Sequence, residues 1–239
     1  MNRPFYRRHY AAAVMLLLAL APARLAAAPA PGKAGIQFSC MVWEHHEGPT
    51  LFYRDGEAYL PLKLRAGNRS QLYPLKNAHA FELFVAAVDS DGKPIYNPVG
   101  RAALVAGTGR MLFMIDPLGN PADLKFRVIG MDDALETFPP GTFRFANFTT
   151  TPLQVKFGGQ VNPLPAAGMK VVKSNVSAKG GFLPFILGNS TGKIVFETRL
   201  FGQPTGRDIV FIGGSSTGGE IKVKFLTEII PPEVPEPKG

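Results

Sequence analysis

Between residues 36 and 228 the apolar residues come in short alternating runs cut by turn residues, and no window sustains a helical spacing between caps. The runs are rich in Val, Ile, Phe, Thr and Tyr, and the 26 Gly and 22 Pro are spread among them rather than gathered in one place. A period of two puts one face of each run on a core, and frequent turns leave no room for long helices. The pattern predicts an all-β chain built as an antiparallel β-sandwich, with about fourteen candidate strands. Asp55-Gly56 is a strong hairpin turn, and a second hairpin is expected between 102–106 and 110–116 around Gly107-Thr108-Gly109. Only 131–138 (MDDALETF) reads as a helical turn. In 142–149 the alternation sends Phe143, Phe145 and Asn147 to a core, and Thr142, Arg144 and Ala146 to solvent.

Pro139-Pro140-Gly141 is the expected boundary between two immunoglobulin-like modules, residues 36–138 and 141–228. No sequence repeat between the halves stands out. Residues 1–27 have the form of a signal peptide: Arg3, Arg7 and Arg8 precede the apolar run Ala11 to Ala21, and Leu25-Ala26-Ala27 supplies small residues before a cut. That run is shorter than the ~20 residues needed to cross a bilayer, and later apolar stretches are broken by charge, Gly or Pro within about ten residues, so no membrane span is expected after cleavage. Residues 229–239 (IIPPEVPEPKG) read as a disordered Pro-rich tail. The expected location is periplasmic or secreted.

The formal charge of +8 includes four arginines of the leader, so the remainder carries 8 − 4 = +4. That excess is scattered, which argues against nucleic acid as a partner. An envelope protein or a polysaccharide remains as the expected kind of partner. Cys40, the single cysteine, can form no internal disulfide and is expected to be a buried hydrophobe, since Ile36, Phe38, Cys40 and Val42 share a face.

The stretch GTFRFANFTTTPLQVKFGGQVNPLPAAGMKVV (141–172) has a strand closing on Asn147-Phe148-Thr149. A Pro-containing turn, an edge-type strand ending in Gly158-Gly159, and a Pro/Gly loop follow. This unit resembles immunoglobulin-like domains of uncharacterised exported bacterial proteins, and distantly periplasmic accessory proteins of alginate O-acetylation. The resemblance implies a non-enzymatic envelope protein and assigns no functional residue.

Glu44-His45-His46-Glu47 has the ligand types that suit zinc or copper, but alternation lets one metal reach only a pair from it; His79 is the candidate third ligand. Against this stands an ordinary polar loop, and no cofactor is expected. Gly214-Ser215-Ser216-Thr217-Gly218 matches G-x-S-x-G, yet a strand rather than a helix follows it and no His lies beyond His79. Asp89-Ser90-Asp91-Gly92 opens like a calcium loop but has Lys93 and Gly100 where ligands belong, and reads as a turn. Asp132, Asp133 and Glu136 read as solvated acids at a helix start. Asn68, Asn147, Asn175 and Asn189 each begin an N-x-S/T triplet. Trp43, Tyr53, Tyr59 and Tyr73 are candidate sugar-stacking aromatics. The expected function is therefore non-catalytic binding or structural work at the envelope. The alternatives are a carbohydrate-binding module and a metal-binding or hydrolytic secreted enzyme.

Overall fold

The alternation is realised as strands throughout. The computed structural model describes residues 35–43, 48–76, 79–119, 123–214 and 220–231, and among them there is no α-helix, hence none long and apolar enough to cross a membrane. The strands are β1 (Ile36–Val42), β2 (Leu51–Asp55), β3 (Ala58–Pro61), β4 (Tyr73–Leu75), β5 (Ala80–Val88), β6 (Pro94–Ala103), β7 (Arg110–Leu118) and β8 (Lys125–Asp132). They continue as β9 (Thr142–Asn147), β10 (Leu153–Phe157), β11 (Gln160–Leu164), β12 (Met169–Lys173), β13 (Gly181–Asn189), β14 (Ile194–Gly202), β15 (Gly206–Gly214) and β16 (Ile221–Ile229). Four sheets of four form, in the orders β4-β1-β7-β8, β3-β2-β5-β6, β12-β9-β15-β16 and β11-β10-β13-β14.

Adding eight to each strand number of the first two sheets gives the other two. The chain is thus two copies of one eight-stranded unit, a repeat that the sequence conceals. Even the departure from antiparallel pairing is repeated: β1 runs parallel to β7, and β9 parallel to β15. Thr108-Gly109-Arg110 enters β7 as Thr205-Gly206-Arg207 enters β15, and Arg110 opposes Gln37 where Arg207 opposes Thr142. The β5–β6 and β13–β14 turns share the same amide hydrogen bonds. Asp89 Oδ1 accepts from the amides of Asp91 and Lys93, as Asn189 Oδ1 does from Thr191 and Lys193.

Each unit is a sandwich with its own core. Phe38, Tyr53, Phe81 and Phe113 lie in the first, and Phe145, Val155, Phe157 and Phe185 in the second. A third core joins the units. It takes Met41, Trp43, Leu112, Met114 and Met131 from the first unit and Ala146, Phe148, Ile209, Phe211 and Leu226 from the second, with Phe138 from the connector. By register these are five equivalent pairs, Met41/Ala146, Trp43/Phe148, Leu112/Ile209, Met114/Phe211 and Met131/Leu226. The units meet through the same patch of each, as the subunits of a twofold dimer do. The central strands β1, β7, β9 and β15 of the inner sheets therefore bury both faces, and all six residues of β9 are buried. The solvent face expected for Thr142, Arg144 and Ala146 is this joint between units.

At one end of the joint the charges cross over. Arg110 pairs with Glu228 of the other unit at 2.9 Å, and Arg207, its counterpart, reaches Asp133 at 3.2 Å. Arg69 bonds both carboxylates, and Arg207 Nη1 donates to the carbonyls of Asp133 and Phe138. Asp133 and Arg207 are completely buried. The expected solvated helix-start acid is instead the centre of a buried ion cluster, and 131–138 ends β8 and turns without forming a helix.

Two strands escaped the sequence reading, β6 and β11. Pro94, Pro98 and Gly100 in the one and Pro163 in the other look like breakers. Both strands lie at sheet edges, where a missing N–H faces away from the ladder. The expected hairpin around Gly107-Thr108-Gly109 is not formed, because β6 pairs with β5 and β7 with β1 and β8, so the segment crosses between sheets. The expected tail does not include residues 229 and 230, because Ile229 ends β16 and the Ile230 amide donates to the Thr205 carbonyl; 232–239 lie outside the described residues.

Candidate binding face of the first unit

The outer sheet β3-β2-β5-β6 turns one face to its core and the other outward. Cross-strand registers place Phe52, Arg54, Tyr59, Glu82, Phe84, Tyr96 and Arg101 on the outward face. Tyr59 and Tyr96 come from the two outermost strands, about 14 Å apart at strand spacing, yet their rings stack at 4.0 Å with an interplanar angle of 1°. Both side chains therefore lean inward over the sheet. Phe84 meets Tyr59 edge-on at 4.9 Å and is nearly covered, and Phe52 meets Tyr96 at 5.2 Å. Half-buried aromatics with phenolic hydroxyls on an outer sheet offer an apolar body and a polar rim to a ligand.

Beside this cluster lies a cleft of about 320 Å³ lined by Arg54, Lys76, His79, Glu82 and Arg101. Arg54 Nε donates to the Gly56 carbonyl at 2.9 Å, which fixes the guanidinium next to the β2–β3 turn. Arg101 sits 3.7 Å from Glu82, and both side chains are well exposed, so the pair binds weakly and stays available. Three cationic side chains and one imidazole face one carboxylate. Such a cleft suits an anionic group, with the arginine forks fitting a carboxylate or sulfate best.

The second unit supplies an internal control. At the positions of Phe52 and Tyr59 it carries Gln154 and Val161, and the residue opposite Gln154, where Phe84 stands opposite Phe52, is Gly188. The same architecture forms there without the aromatics, so folding alone does not demand them.

The residues singled out from the sequence fare unevenly. His45 and His46, with Glu44 and Glu47, lie outside the described residues; His79 is described and lines the basic cleft. Among the described residues no three His, Cys, Asp or Glu side chains gather as a metal would require. Trp43, Tyr53 and Tyr73 are buried and unavailable to a sugar, which leaves Tyr59 alone of the four on an open face. Cys40 is completely buried, and burial pushes its thiol pKa up, so it stays protonated. Asp89 caps a turn through its own side chain. Residues 215–218 of the G-x-S-x-G match lie outside the described residues, between two strands that pair directly. Asn147 is buried, with Nδ2 donating to the carbonyls of Thr151 and Pro165, so the folded chain offers no acceptor there. Phe52, Tyr96, Arg54 and Arg101 were missed because only strand register brings them to one face. No family model matches the chain, and no curated protein matches it.

Proposed function

We propose that this is an exported, non-catalytic binding protein of the cell envelope, and that the outer face of its first unit is the binding surface. The leader-like residues 1–27 support export. The observation that carries the binding assignment is the asymmetry between the copies, since the aromatic cluster beside the Arg54–Lys76–Arg101 cleft belongs to one unit only. The same observation favours a saccharide bearing acid groups over a neutral one. Its ring C–H faces would lie on Tyr59 and Tyr96 and its acid groups would reach the arginines.

Calorimetric titration of the mature protein with uronic-acid oligosaccharides tests the reading. Binding is expected, with a loss of roughly tenfold for Tyr96→Ala and a steeper loss for Arg54→Glu, while Lys156→Glu in the second unit changes nothing. Equal affinity in all four proteins would remove the assignment of this face. Binding of neutral and acidic oligosaccharides alike would remove the acid-group part alone.

A further inference from the structure

The two units differ most at one seam. In the first, strands β6 and β8, the edges of its two sheets, pack directly together. Two glycines allow it. A Cβ on Gly100 would stand 2.9 Å from Val128 Cγ2, and one on Gly130 would stand 2.9 Å from the Phe113 ring and 3.1 Å from the Ala103 carbonyl oxygen. The second unit carries Phe225 at the position of Gly130, as the registers show. There the seam between β14 and β16 stands open as a cleft of about 320 Å³.

Its walls and floor are of contrasting chemistry. Phe182, Phe201 and Phe225 are 60%, 43% and 44% exposed, a concentration of open aromatic rings around one cleft. At the floor lies Asp208, only 8% exposed, where the first unit has the fully buried Met111. Among the described residues no lysine or arginine pairs with this carboxylate, and its one partner is the Thr227 hydroxyl, which donates to Oδ1 at 2.5 Å. Arg199, in the same lining, is directed over the Phe182 ring instead, at 5.9 Å. A sandwich core gains nothing from replacing a methionine with a desolvated carboxylate.

We propose that this cleft is a second binding site, for a small organic ammonium ligand whose charged nitrogen meets Asp208 and whose apolar body lies among Phe182, Phe201 and Phe225. The carboxylate supplies the acceptor for the ammonium N–H groups, and the negative faces of the phenyl rings attract the same charge. The site is separate from the outer face of the first unit and does not depend on its assignment.

The experiment uses n-butylammonium as probe, with n-pentanol and pentanoate as neutral and anionic controls, in ligand-observed NMR and calorimetric titration against the mature protein. Butylammonium is expected to bind at one site and pentanoate not at all. Asp208→Asn keeps an oxygen for Thr227, and should weaken butylammonium roughly tenfold or more while leaving any pentanol binding as it was. Phe182→Ala, at an open ring that no core depends on, should weaken both. Absence of butylammonium binding, or binding indifferent to Asp208→Asn and Phe182→Ala, would overturn the proposal.

Discussion

Three charged residues show why burial matters more than charge count in this chain. Asp133 is completely buried among Arg69, Arg110 and Arg207, and Arg144 is held over the Phe138 ring at 4.2 Å, where burial pushes its pKa down to about 10. Removing Asp133 takes a carboxylate from Arg207, whose side chain has no solvent to replace it. Asp133→Ala is therefore expected to cost about 3–5 kcal/mol in urea unfolding, whereas a cost below 1 kcal/mol would mean the cluster is wet. Asp208 acts in the opposite sense. Burial holds its carboxyl above the usual range, with the Thr227 hydroxyl pulling it back. The folded chain thus holds this proton more tightly than the unfolded one, so acid adds stability through Asp208 and a rise in pH through its folded value removes it. Asp208→Asn should be more stable than the parent above that value and lose the advantage below the ordinary carboxylate range. Urea midpoints across pH check this, and an advantage that grows in acid would contradict it. Neither role was legible in the sequence. Asp133 sits beside turn residues like any surface acid, and only the pairing of β7 with β8 and β15 with β16 shows what surrounds it.

At the scale of elements the sequence is informative about period and poor about partners. Alternation marks β9 as a strand correctly, but Arg144 looks like a solvent residue because nothing local announces a second buried face. Proline misleads in the other direction, hiding β6 and β11, since an edge strand tolerates what a central one does not. The repeat is recorded only in fragments such as Thr-Gly-Arg at 108–110 and 205–207, and in the Asp89 and Asn189 turns. Between those fragments the two copies share burial rather than residue identity. The seam glycines carry a direct consequence. Gly130→Ala should destabilise the protein by about 1–3 kcal/mol through overpacking against Phe113 and Met111. Phe225→Ala, at the counterpart position in the open seam, should cost clearly less. Thermal unfolding of the two variants compares them directly, and the reverse order would mean the seams are not packed as described.

For the whole molecule, the central claim is that two copies of one sandwich unit are fused through an interface as dry as a core. Trp43, the only tryptophan, lies in that interface, edge-on to Phe148 at 6.2 Å and so close over Gly213 that a Cβ there would stand 2.6 Å from the indole. Its indole is a local reporter of the joint, while backbone circular dichroism reports the strands of both units. Equilibrium urea unfolding, followed by both signals, decides the matter. Coincident transitions are predicted, with blue-shifted emission from a buried indole persisting until the strands themselves melt. An indole that becomes solvent-exposed at urea concentrations where the β signal is intact would show two independent sandwiches in loose contact, and would contradict the account.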